Sequence, residues 1–186
     1  MNQKLKTSLA FAKNLFVTGA ITETSRTVEI EICKKIPKNQ DVVVVEYGMG
    51  HGNITLEILK NISPNSKVYA FEVKESFCDH VRKTIKDDRL IVINDGAENV
   101  KKHVKEDIHS VIASIPFSFF SKEKGIGIIQ DSFDLLKEGT YYSQVLYTKH
   151  NFKKFQHVFQ DENCTIRKVS SKIPAEYIYD CKKVKR

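Results

Sequence analysis

Residues Val42 to Thr55, VVVVEYGMGHGNIT, decide the fold. Four β-branched residues lead into an acid, Glu46, and then into glycines on every second position, Gly48, Gly50 and Gly52. A helical pattern begins at Asn53. Glycines placed directly behind a strand let the backbone turn sharply and approach a ligand, and the helix that follows offers unpaired N–H groups to an anionic portion of it. The spacing is GxGxG, one residue tighter than the GxGxxG that wraps a dinucleotide pyrophosphate. It suits a smaller ligand carrying a single carboxylate.

Working outward, strand signals fall at 41–46, 67–72, 89–94, 110–114, 140–148, 165–171 and 176–182, each β-branched or aromatic and bounded by polar residues, Gly or Pro. Helical patterns fall between them at about 53–61, 76–86, 97–102, 122–136 and 151–160. The last carries Phe152, Phe155 and Phe159 on one face, a core stripe. Strand alternating with helix predicts an α/β fold: a Rossmann-like seven-stranded sheet, mostly parallel, with helices on both faces. Lys172, Ile173 and Pro174 leave too short a gap for a parallel crossover, so the last two strands are expected to form an antiparallel hairpin at the sheet edge. With 186 residues and 41% hydrophobic content, one domain over 1–186 is expected. Residues 1–36 are expected to form its N-terminal helical lid or membrane-contact segment.

Two further acids end strands. Glu72 in VYAFEVK closes the second, where a carboxylate can accept hydrogen bonds from ribose hydroxyls. Asp95 in VINDGAE closes the third and is followed by Gly96, where an acid can reach the exocyclic amine of an adenine. Glu46 is left for an amino acid portion. Acids and glycines at the carboxyl ends of successive strands mark the ligand crevice of such a sheet.

A net charge of +7 suits an anionic partner, either nucleic acid or an anionic lipid surface. Cys33, Cys78, Cys164 and Cys181 have neither disulfide-scaffold nor metal-ligand spacing, so reduced thiols and no metal are expected. No stretch resembles a cleaved signal peptide or reaches the roughly 20 apolar residues of a membrane span. The expected location is cytoplasmic, with a peripheral seat on the inner face of the membrane open to it.

Together these motifs resemble the class I S-adenosylmethionine-dependent methyltransferases. EYGMGHGNIT is similar to their glycine motif, FEV to their ribose-binding acid and NDGAENV to their adenine motif. The resemblance implies S-adenosylmethionine as cofactor, held by Glu46, Gly48, Gly50, Gly52, Asn53, Glu72, Val73, Asp95, Gly96 and Ala97. In VIASIPFSFF, the run Ser114, Ile115, Pro116, Phe117 is similar to the motif with which amine methyltransferases line the acceptor pocket. It implies acceptor contacts from Ser114, Pro116 and Phe117, with Phe119 and Phe120 left to the core. Methyl transfer from a sulfonium is an in-line displacement, so a neutral nitrogen must be held near the methyl carbon and water kept away.

Two families share this arrangement. Adenine dimethyltransferases of ribosomal RNA usually have Asn where this chain has Ser114. Small bacterial phospholipid N-methyltransferases are resembled in three places: Ser-Ile-Pro-Phe, the YYSQVLYTKH strand that sets Gln144 and Tyr147 in a Gln-x-x-Tyr pattern, and SKIPAEYIY before the last strand. Lys172 and Ile173, and Thr148 with Lys149, depart from that family's pattern. The basic amphipathic start, with Leu5, Leu9, Ala12 and Phe16 at helical spacing and Lys4, Lys6 and Lys13 beside them, suits a membrane interface or a lid over the cofactor. With its last strand ending near Arg186, the chain is expected to lack the helical domain that RNA dimethyltransferases append. The expected reaction is therefore methylation of the amine of phosphatidylethanolamine, with an anionic membrane surface as partner. Adenine in ribosomal RNA, or another small amine, is the alternative acceptor. His51 and His150 are candidate bases.

Overall fold

The computed structural model describes residues 24–170 and 175–185. The amphipathic start and the short gap at Lys172, Ile173 and Pro174 lie outside them. The valine run forms β1 (Val43–Tyr47), followed by α2 (Asn53–Asn61), with α1 (Arg26–Ile32) ahead of both. Next come β2 (Lys67–Phe71), α3 (Glu75–Thr84), β3 (Leu90–Ile93), α4 (Val100–His103) and β4 (Ile108–Ala113). The chain ends with α5 (Lys122–Leu135), β5 (Leu136–Leu146), α6 (Phe152–Phe159), β6 (Cys164–Ser170) and β7 (Glu176–Lys182).

These strands make one seven-stranded sheet in the order β3-β2-β1-β4-β5-β7-β6. The first five pair in parallel, and β7 is antiparallel to both β5 and β6. Both faces are covered, which is why the central strands β1 and β4 are buried along nearly their whole length rather than on alternate residues. Val45, Tyr47, Val111, Ala113 and Tyr142 pack on one side with residues of α4, α5 and α6. Val44, Ile112, Val145 and Ile178 pack on the other with residues of α1, α2 and α3. The period of two along β1 sends the Glu46 side chain to this second side.

Two elements differ from expectation. Strand β5 starts at Leu136, running directly out of α5, instead of near residue 140. Its pairing jumps from Ile108↔Leu136 to Ser110↔Tyr141, so an excursion at Lys137, Glu138 and Gly139 is absorbed within the strand. Gly139, at φ +80°, makes this possible, and its N–H donates to Lys183 O at 2.8 Å. The pattern expected as one helix from Ala97 is a 3-10 turn (Ala97–Asn99) that passes into the single turn of α4.

The sheet order reverses at β1, which has β2 on one side and β4 on the other. That switch point opens a crevice beyond the carboxyl ends of β1 and β4.

Candidate active site

The glycine turn is built on backbone hydrogen bonds. Gly48 and Met49 N–H both donate to Phe71 O, at 2.9 and 3.2 Å, tying the turn to the end of β2. Gly52 N–H donates to Met49 O at 2.8 Å, and Leu56 N–H to Gly52 O at 2.9 Å begins α2. Gly52 has φ +89°, and a Cβ there would lie 2.7 Å from Ile85 Cδ1. Conformation and packing therefore both require glycine at this cap. Gly50, at φ +53°, would carry its Cβ into open space, so no protein atom covers that side of it. Asn53 follows, half-buried, as the first residue of α2.

Glu46 is 1% exposed. One carboxyl oxygen, Oε2, accepts from Thr55 Oγ1 at 2.6 Å, whereas Oε1 is buried without a partner. Burial pushes its pKa up to about 8 against the opposing effect of the Thr55 hydrogen bond, with the Glu72 charge adding a smaller upward push. A buried carboxyl group with an orphaned oxygen costs stability unless something pairs with it. A ligand ammonium is the group whose charge and donors fit.

Glu72 lies just beyond β2 and curls over the glycine turn. Its Oε2 accepts from Gly50 N–H at 3.2 Å and its Oε1 from Lys74 N–H at 2.9 Å. A carboxylate has about four lone-pair sites, so it retains acceptors for hydroxyl groups. Val73 beside it is 65% exposed, an apolar side chain presented to solvent. Beyond β3, Asp95 accepts from Gly96 N–H at 2.7 Å and Asn99 Nδ2 at 2.7 Å, and its second oxygen pairs with His103 Nε2 at 2.8 Å. His103, then Asn99 and Gly96, hold its pKa down to about 2. Gly96 and Ala97 are buried behind it. The structure thus sets Glu46, Glu72 and Asp95 at the ends of the three adjacent strands β1, β2 and β3. Thr55, Asn99 and His103 were not singled out by the sequence, since nothing along the chain marks a hydroxyl or an imidazole as the partner of a given acid.

At the end of β4, Ser114 N–H donates to Tyr47 O at 2.9 Å and its Oγ–H to Gly48 O at 2.8 Å. The hydroxyl oxygen sits against the glycine turn with its lone pairs available as acceptors. Two carbonyls of the loop are engaged: Ile115 O takes Gln144 Nε2 at 3.0 Å and Phe117 O takes Lys154 Nζ at 3.3 Å. Gln144 is fully buried, and its Oε1 has no partner. Pro116 is half-buried.

The aromatics of this loop depart from expectation. Phe117 is 0% exposed and packs its ring at 5.0 Å from Phe155 and 5.8 Å from Phe120, so it belongs to the core rather than to an open pocket. Phe119, expected in the core, is 37% exposed. The cause is the 3-10 turn Phe117–Phe119, whose three-residue period puts Phe117 and Phe120 on one side and turns Phe119 away from them. Tyr147 is half-buried just past the end of β5. His51 and His150 are exposed, and His51 stacks near Phe77 and His80, with ring centroids at 4.5 and 5.3 Å. Among the described residues no cluster of His, Cys, Asp and Glu could hold a metal ion, and no helix is long and apolar enough to cross a membrane.

No protein-family model matches the sequence, and no curated protein matches it. Solved structures do. An rRNA methylase from Streptococcus thermophilus superposes with a TM-score of 0.69 at 20% identity, over 89% of this chain and 99% of that one. A precorrin-6y C5,15-methyltransferase from Geobacter metallireducens gives 0.69 at 17% identity, over 86% and 90%. A SAM-dependent O-methyltransferase from Thermotoga maritima gives 0.67 at 14% identity, over 92% and 71%. The chain has the Rossmann-like fold of these methyltransferases. At such identities the likeness is one of fold, and the reaction has to be argued from the site.

Proposed function

We propose that the chain is an S-adenosylmethionine-dependent methyltransferase. The observation that carries this reading is the buried, partnerless oxygen of Glu46 behind a glycine turn, in line with acids at the ends of the next two strands. The residues fit the cofactor part by part. Glu46 would meet the amino group of its methionine portion, and Gly48, Gly50, Gly52 and Asn53 would line its path. Glu72 would accept from the ribose hydroxyls, Val73 would cover one face of the adenine, and Asp95, Gly96 and Ala97 would hold the adenine edge. Bound there, S-adenosylmethionine supplies a sulfonium-activated methyl group. The solved neighbours support the same class, one of them named as SAM-dependent.

The acceptor side is Ser114, Pro116 and Tyr147. Ser114, with its own proton given to Gly48 O, accepts from a nitrogen and so directs the lone pair toward the cofactor side of the crevice. Gln144 and Lys154 hold the loop carbonyls and keep that loop in one shape. Phe117 acts from beneath, as packing.

Two acceptors are argued from different observations. The neighbours favour RNA, since they include an rRNA methylase covered over 99% of its length, and a charge of +7 suits a polyanion. Phosphatidylethanolamine, the acceptor expected from the sequence, rests on Ser-Ile-Pro-Phe, the Gln144 and Tyr147 pattern and SKIPAEYIY, and on no structural neighbour. Transfer of labelled methyl from S-adenosylmethionine, run side by side on ribosomal RNA and on phosphatidylethanolamine vesicles containing anionic lipid, separates them. Label in adenine supports the first and label in the headgroup amine the second. Failure of the protein to bind S-adenosylmethionine or S-adenosylhomocysteine at all would remove the methyltransferase reading itself.

A further inference from the structure

The four cysteines are far apart in sequence, yet the fold brings two of them together. Cys164 opens β6, Cys181 is the penultimate residue of β7, and they are direct partners in the antiparallel ladder. Opposed residues of such a pair share a face, with Cα atoms about 4.5–5.5 Å apart. That lies within the roughly 4.4–6.8 Å that a disulfide spans. The two thiols are close enough for each to feel the other's charge. Cys181 is fully buried and Cys164, packed against the same core, is half-buried, so Cys164 is the more exposed of the two. Cys33 and Cys78 are buried in the core on the opposite side of the sheet.

We propose that Cys164 and Cys181 are a redox-active dithiol, a modification site that closes reversibly into a cross-strand disulfide when it meets a low-molecular-weight disulfide. The Cys164 thiolate attacks one sulfur of the oxidant, expels one thiol and becomes a mixed disulfide. Cys181 then loses its proton and displaces the second thiol. The protein gives up two hydrogens and two electrons, and the oxidant leaves as two thiols. Burial holds the Cys181 thiol well above its ordinary range, so the first attack belongs to the more exposed Cys164. Closure would staple the edge strand β6 to β7, which carries Asp180 between Ser143 of β5 and Arg167 of β6. The site does not depend on which methyl acceptor is used.

The full chain is incubated in graded ratios of oxidised to reduced glutathione, quenched with acid, alkylated under denaturing conditions and mapped by peptide mass. The expected result is paired loss of the Cys164 and Cys181 thiols in a single linked peptide, reversed by dithiothreitol, with Cys33 and Cys78 still alkylated. Amide exchange along β6 slows in the oxidised form. With Cys181→Ala, Cys164 should instead stop at the mixed glutathione disulfide. Wild-type protein whose Cys164 stays free at the most oxidising ratio, or accumulates only as the mixed disulfide, overturns the proposal. Both readouts come from the unmodified chain, so a variant that fails to fold does not obscure them.

Discussion

Glu46 is the residue on which the site turns. Its pKa is raised from the ordinary 4.5 to about 8 by burial, so the protonated form is favoured in the native state. Stability from this group is fully present below about pH 4.5 and is lost as pH rises through 8, a window worth a few kcal/mol at most. In Glu46→Gln, the part of the stability change between pH 5 and pH 8 that belongs to this group should disappear, while affinity for S-adenosylhomocysteine falls about tenfold or more, the cost of a lost charge-assisted contact. Chemical denaturation at the two pH values and calorimetric titration check both, and an unchanged affinity would detach Glu46 from the cofactor. The glycines separate backbone from ligand effects. Gly52→Ala must strain φ +89° and push on Ile85, which should cost about 1–3 kcal/mol in a thermal melt. Gly50→Ala meets open space, so its melt should change less while cofactor affinity drops.

At the scale of elements, the loop proposed to hold the acceptor is defined by what holds its ends. Ser121 Oγ accepts from Lys124 N–H at 3.1 Å and caps α5 directly behind the loop. Ser121→Ala should lower stability by about 1 kcal/mol, measured by denaturant titration. The terminal hairpin has a comparable anchor. Asp180, 2% exposed, accepts from Ser143 Oγ at 2.6 Å and Arg167 Nε at 3.1 Å. Arg167→Met leaves that carboxylate buried with the hydroxyl alone, and should cost about 2 kcal/mol, since Arg167 itself is partly solvated. The expected elements were legible because the strands are β-branched or aromatic runs and the longer helices carry a periodic face. The excursion in β5 was not, because Lys137, Glu138 and Gly139 read as a turn between elements. Only pairing with β4 and with Lys183 shows that the strand continues through them.

For the whole molecule, occupancy of the crevice should appear as global stability. A ligand that binds only the folded state at about a hundredfold above its Kd adds ~2.7 kcal/mol, and a thermal shift of several degrees with S-adenosylhomocysteine is the expected outcome. The same ligand should give a smaller shift with Asp95→Asn, whose carboxylate lies at the far end of the crevice. By itself the sequence determined the alternating α/β order, the antiparallel ending, and the glycine turn with its strand-end acids Glu46, Glu72 and Asp95. All of these follow from local pattern, because strand period, turn chemistry and the position of a residue at a strand end are properties of short stretches. Tertiary structure alone decided which partners those acids take, that Phe117 turns inward while Phe119 faces out, and that Cys164 and Cys181 stand opposite each other. These depend on which distant segments the sheet order and the packed helices bring within a few ångströms, and no short stretch of chain carries that information.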